Sequence, residues 1–239
     1  MIQVILFDLD GTLLDSEGIA VQANRHGFET VLRRAPTPEE EAGLTGVPVP
    51  KVLAEWFPHE GTQVFTEILI YYERHAEQVH PYVGVCEMIA DLHRSGYVLG
   101  IVSSRKRRYV LRELEAAGLA GFFSVVIGQE DTLDHKPNPS PLLLAVEQLG
   151  ITPAYCGYVG DQPTDIQAAQ AAGMCSVAAC WGEGRKERLA ACKPTFSCEK
   201  PMELVLLALH EWHAEGIEER CSRSGNALQV GTVGGLESH

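Results

Sequence analysis

The strongest constraint on this chain's fold is a rhythm. Short apolar runs, IQVILF (2–7), YVLGIVS (97–103), FSVVIG (123–128), YCGYVG (155–160) and SVAAC (176–180), lack polar alternation, as strands buried on both faces must. Between them, EMIADLHRSG, RYVLRELEAAGL, SPLLLAVEQLG and TDIQAAQAAGM carry apolar residues three or four apart. Each ends near a glycine, Gly96, Gly118, Gly150 and Gly173, as helices capped at their C-termini do. The alternation predicts an α/β fold, a Rossmann-like parallel sheet with helices on both faces.

Residues 15–80 break the rhythm. DSEGIAVQANRHGFETVLRR and EGTQVFTEILIYYERHAEQVH read as helices, the second with Val64, Phe65, Ile68, Leu69, Tyr72, Ala76 and Val79 on one face. Four prolines in APTPEEEAGLTGVPVPKVL rule out one continuous helix between them. More than sixty residues also exceed the needs of a single crossover. The expected organisation is a core of residues 1–14 and 81–215, with a small helical domain, 15–80, inserted after the first strand. A Gly- and Ser-rich tail, 216–239, is expected to be poorly ordered.

The formal net charge of −13, from 19 basic and 32 acidic residues, argues against a nucleic-acid partner. Seven cysteines without zinc-like spacing read as reduced thiols. No apolar segment approaches the roughly 20 residues of a membrane span. The expectation is a soluble, cytoplasmic protein with no membrane partner; nothing in the sequence fixes its oligomeric state.

The polar residues of interest sit where strands end. Asp8 and Asp10 follow IQVILF, with Gly11 and Thr12 next; Ser103 and Ser104 follow VLGIV. Lys136 lies in HKPNPSP, and Asp161 and Asp165 lie in GDQPTD after YCGYV. Each alone could be a cap, a turn or a solvated charge; in particular, Ser103 could cap a helix from Arg105. In an open parallel sheet, ligands bind outside the carboxyl ends of the strands, which is where all of these residues gather.

DLDGT, a hydroxyl after the second strand, KPxP and GDxxxD, in that order, resemble the haloacid dehalogenase superfamily. The similarity is to its phosphoglycolate phosphatase-like branch with a helical cap, and it covers Ile2 to about Ala179. The resemblance implies a phosphoric monoester hydrolase working on a small phosphorylated metabolite. It makes Asp8 the nucleophile that forms an aspartyl-phosphate, Asp10 the general acid and base, and Lys136 the cation bridging Asp8 and the phosphoryl group. Gly11, Thr12, Ser103, Ser104 and Lys136 would contact the substrate, with Thr12 orienting Asp10. Mg²⁺ would be held by the Asp8 carboxylate, the Asp10 main-chain carbonyl and Asp161, supported by Asp165.

An acidic residue at position 10 disfavours dehalogenases and phosphonatases. Val49, with Lys51 two residues on, stands near the place where mutases put a basic residue, so a phosphatase outranks a mutase. Inorganic pyrophosphatase, sugar-phosphate phosphatase and a non-catalytic phosphate-binding regulator remain as alternatives. LTGVPVP and Trp181-Gly182 tilt the substrate expectation towards phosphoglycolate-like acids.

Overall fold

A computed structural model of the chain describes residues 1–44, 47–182, 184–210 and 212. The expected tail, 216–239, lies outside the described residues.

Six parallel strands form the main sheet: β1 (Val4–Phe7), β4 (Val98–Val102), β5 (Phe123–Ile127), β6 (Cys156–Gly160), β7 (Cys175–Ala179) and β8 (Phe196–Cys198). Their order is β5-β4-β1-β6-β7-β8, so the chain winds outward from β1 to one edge, then returns to β6 on its other side. The reversal beside β1 opens a crevice at the carboxyl ends of these strands. Five of the six match the apolar runs; the three-residue β8 carries too little pattern to be read from sequence.

Side-chain alternation along β1 splits the core. Ile5 and Phe7 pack with α5 (Val85–Arg94) and α10 (Pro201–His210), together with apolar residues of α6 (Arg107–Ala116). Val4 and Leu6 face α7 (Ser140–Leu149) and α8 (Pro163–Ala171) on the other side. The short α9 (Lys186–Ala191) buries Leu189 against Ile166 and Ala178. Gly96, Gly118, Gly150 and Gly173 all take positive φ, the backbone that ends a helix and suits glycine.

Four helices lie in the segment that broke the rhythm: α1 (Glu17–Leu32), α2 (Pro38–Gly43), α3 (Val49–Trp56) and α4 (Gly61–Arg74). Pro38 opens α2, Pro48 caps α3 and Pro50 lies in its first turn, where a missing N–H does no harm. At α2, Glu40 N–H donates to Thr37 Oγ1 at 3.2 Å and Thr37 N–H to the Glu40 carboxylate at 2.8 Å. Ile19, Ala23, Phe28, Leu53, Val64, Ile68 and Tyr72 form a hydrophobic core of the helices' own. Two antiparallel stubs, β2 (Leu14–Asp15) and β3 (His80–Pro81), pair where the chain enters and leaves this segment.

Candidate active site

The apolar strand β1 delivers Asp8 to the crevice already buried, 8% exposed. Lys136 reaches it from the loop before α7, with Nζ 3.0 Å from Asp8 Oδ1 and 2.7 Å from Asp165 Oδ1. The same ammonium donates to the Tyr158 hydroxyl at 2.9 Å, and that hydroxyl donates to the Val102 carbonyl at 2.9 Å. Burial alone would lower the lysine's pKa; the carboxylates of Asp165 and Asp8 overcome it and hold Lys136 charged, well above the ordinary range. Asp8 is pushed up to about 7, first by burial, against the pull of Lys136 and with help from Asp165 and Asp10. One cation among these carboxylates leaves the cluster short of positive charge.

Asp161 and Asp165 follow β6. Asp165 Oδ2 accepts the Gln162 N–H at 2.9 Å at the start of α8, so both its oxygens are engaged. Asp161 is fully buried and accepts from Thr12 Oγ1 at 3.2 Å and Gln162 Nε2 at 2.8 Å. Each of Asp8, Asp161 and Asp165 offers a carboxylate oxygen within 4.8 Å of the others. Three buried hard oxygen donors with a charge deficit fit a divalent cation such as Mg²⁺.

Asp10 is held differently. Ser16 Oγ donates to Asp10 Oδ1 at 2.6 Å, and Arg105 Nη1 donates to the same oxygen at 3.1 Å. Arg105 is clamped in turn by Glu113 through two bonds of 2.7 and 2.8 Å, and donates to the Tyr72 hydroxyl on α4 at 2.9 Å. Its guanidinium carbon lies 4.5 Å from the Tyr72 ring centroid. This network joins the helical segment to the strand ends.

All nine residues singled out from the sequence come to this end of the sheet, but two do other things than expected. The Thr12 hydroxyl donates to Asp161, not Asp10, and its side chain is fully buried; the hydroxyl on Asp10 is that of Ser16. Ser103 is not a helix cap, because α6 starts at Arg107; its Oγ accepts the Arg105 N–H at 3.2 Å and shapes the preceding turn. Ser103 and Ser104 both line the cavity. Gly11, at φ +75°, leaves no room for a side chain, since a Cβ there would meet Asp161 Oδ2 at 2.4 Å. Trp181 Nε1 donates to the Thr12 carbonyl at 2.8 Å and fastens the DGT turn.

Ser16, Tyr72, Arg105, Glu113 and Tyr158 were not singled out from the sequence. Arg105 was the most findable, a cation directly after the two serines; the others are joined only by the fold.

The cavity over these groups measures about 230 Å³ and is lined on its far side by residues of α1 and α4 and by Leu44, Val47 and Pro48. Phe65, Ile68, Leu69 and Tyr72 line it, while Val64 of the same helix is buried in the helical core. Val49 lines it too.

Residues 5–179 match the model of the haloacid dehalogenase-like hydrolase family. The chain belongs to that family. Pyrophosphatase PpaX of Bacillus velezensis is 31% identical over 209 residues, covering 85% of this chain and 95% of that protein. Phosphoglycolate phosphatase of Xylella fastidiosa is 37% identical over 186 residues, 75% of this chain and 81% of that one. Among solved structures, a haloacid dehalogenase-like family hydrolase from Streptococcus pneumoniae superposes with a TM-score of 0.76 at 21% identity, covering 87% and 98% of the two chains. That likeness establishes the family's α/β fold here.

Proposed function

We propose that this hydrolase is a Mg²⁺-dependent phosphatase that moves the phosphoryl group of a small monoester to Asp8 and then to water. As an enzyme it is a phosphoric monoester hydrolase. The observation that carries the reading is the buried ammonium of Lys136 lying 3.0 Å from Asp8 at the end of the central strand. A carboxylate so placed can attack phosphorus, and the fixed cation offsets charge that spreads over the phosphoryl oxygens.

In the first step an Asp8 oxygen bonds to phosphorus and the ester P–O bond breaks. The departing oxygen takes the electron pair and a proton from Asp10. In the second step a water gives a proton to Asp10 and attacks the aspartyl-phosphate, releasing phosphate and freeing Asp8. Ser16 and Arg105 both donate to Asp10 Oδ1, which fixes the carboxyl group and leaves Oδ2 to carry the proton. Magnesium, held by Asp8, the Asp10 carbonyl and Asp161 with Asp165 in support, would supply the positive charge the acidic cluster lacks.

In this reading residues 15–80 are the cap that shuts water from the site, and Ser103 and Ser104 contact the phosphoryl oxygens. Among the described residues no helix is long and apolar enough to cross a membrane, and six cysteines are free thiols. The thiols support a reducing, cytoplasmic setting. Pyrophosphatase activity is the second reading, favoured by the name of the B. velezensis relative. Pyrophosphate and phosphoglycolate both carry a second anionic group beyond the phosphoryl that leaves.

The test is phosphate release from a panel of esters with Mg²⁺, with chelator, and with Asp8→Asn. Turnover should require Mg²⁺, return when it is restored, and vanish in the variant while its circular dichroism stays native. Full activity in excess chelator, or wild-type rates in Asp8→Asn, would refute the reading.

A further inference from the structure

The lining of the cavity is predominantly apolar. Val21, Leu44, Val49, Phe65, Leu69 and Tyr109 are among the apolar side chains that line it. The charged groups of the lining are mainly acidic: Glu17, Glu41 and Glu73 line the cavity along with Asp10. Among the described lining residues the cations are Lys136, Arg105 and Lys106. Lys136 is committed to Asp8 and Asp165; Lys106 is exposed, as are Glu17 and Glu73, and the three lining glutamates outnumber it.

Among the described lining residues Arg105 is the part-buried cation placed to meet a second anion, and two carboxyl groups already hold it. It bonds Asp10 at 3.1 Å and Glu113 at 2.7 Å, so the Glu113 carboxylate alone balances its charge, and Asp10 adds a second carboxyl on the same guanidinium. A carboxylate or second phosphate entering this space would be desolvated against apolar side chains and would face these carboxylates. An uncharged chain gains the burial without that loss, and an ammonium gains the acidic rim as well.

We propose that the physiological substrate is a phosphomonoester of a largely apolar alcohol, neutral or amine-bearing, with no second negative charge. The proposal rests on the phosphatase reading and names its substrate class. It departs from phosphoglycolate-like acids, to which the sequence inclined, and from pyrophosphate.

The test uses the full chain with saturating Mg²⁺ and three primary-alcohol esters of matched length: n-pentyl phosphate, 4-aminobutyl phosphate and 4-phosphonooxybutanoate. Pyrophosphate and phosphoglycolate are run beside them. The first two should exceed the carboxylate ester, phosphoglycolate and pyrophosphate by at least about tenfold in kcat/KM, a ratio within what pocket chemistry commonly supplies. In Leu69→Arg, which puts a cation in the wall, kcat/KM for the carboxylate ester should rise and that for n-pentyl phosphate should fall. Equal or better turnover of the carboxylate ester, phosphoglycolate or pyrophosphate by the wild type overturns the substrate class and leaves the phosphatase standing. Inertness of every ester, with Mg²⁺ present, overturns both.

Discussion

Gly182 presses so closely on Gly11 that a Cβ on Gly182 would lie 1.8 Å from the Gly11 carbonyl oxygen. Gly184 behaves likewise, its Cβ falling 1.6 Å from the Asp161 carbonyl oxygen. The loop after β7 is thus seated on the backbone that carries the acidic cluster, with Trp181 bonded to Thr12 beside it. Because these contacts are with backbone, no rotamer change can relieve them.

Gly182→Ala should therefore shift the DGT turn as well as strain the loop. The expected loss is about 1–3 kcal/mol of stability, typical of overpacking. Turnover should fall further, by about 10²-fold, because small misplacements near the reacting atoms are amplified in rate. Urea denaturation and kcat measured on the same preparation check it, and wild-type values for both would defeat the argument.

Asp10→Asn should slow turnover by about 10²–10⁴-fold, the usual contribution of a positioned proton donor and acceptor. Ser16→Ala should have a smaller effect of the same kind, since the Ser16 hydroxyl only orients Oδ1. Steady-state rates across pH would show it: the Asp10 variant should lose the limb of the profile that reports the acid, and Ser16→Ala should keep it. An Asp10 variant with an unaltered profile would assign proton transfer to another group.

Lys136→Met removes the charge between two buried carboxylates. Stripping one partner from a buried ion pair commonly costs about 3–5 kcal/mol, because the remaining charge is left uncompensated. The loss should shrink when Asp165→Asn is added, since Lys136 lies nearer to Asp165 than to Asp8. A double-mutant cycle in chelator measures the coupling. Strict additivity would mean that Asp165 does not hold Lys136.

Without divalent cation, stability should depend on pH in a definite direction. Asp8 titrates near 7 in the folded protein, against about 3.9 in an unfolded chain. Between those values the folded state binds the extra proton, so stability is greatest at the acid end of this window and falls as pH rises towards 7. The loss attributable to Asp8 is on the order of a few kcal/mol. Thermal melts in chelator, wild type against Asp8→Asn, isolate it: the wild type should lose ground steadily over that range relative to the variant. Parallel curves would show that Asp8 is ionised throughout.

The parallel sheet and the nine candidate residues were legible because their signals are local: unbroken apolar runs, glycines at helix ends, and polar residues one step past each strand. Thr12 was misassigned because sequence gives no direction for a side chain, and its hydroxyl turns under the loop to Asp161 while Ser16 takes Asp10. The Arg105–Glu113 clamp is one such case, since a glutamate in an amphipathic helix reads as solvated until its exposure of only 4% is known. The cavity walls were least legible of all. Val49, Phe65 and Leu69 follow the same apolar periodicity as the core residues beside them, and only packing separates a wall from a core.

The paired stubs Leu14–Asp15 and His80–Pro81 hold the two ends of the helical segment side by side. An insertion that begins and ends at one point can change length or sequence without moving β1, and hence without moving Asp8. Natural variation can then retune what is recognised while leaving the phosphoryl chemistry untouched. A protein engineer could exchange residues 15–80 as a cassette across the same two-residue ladder.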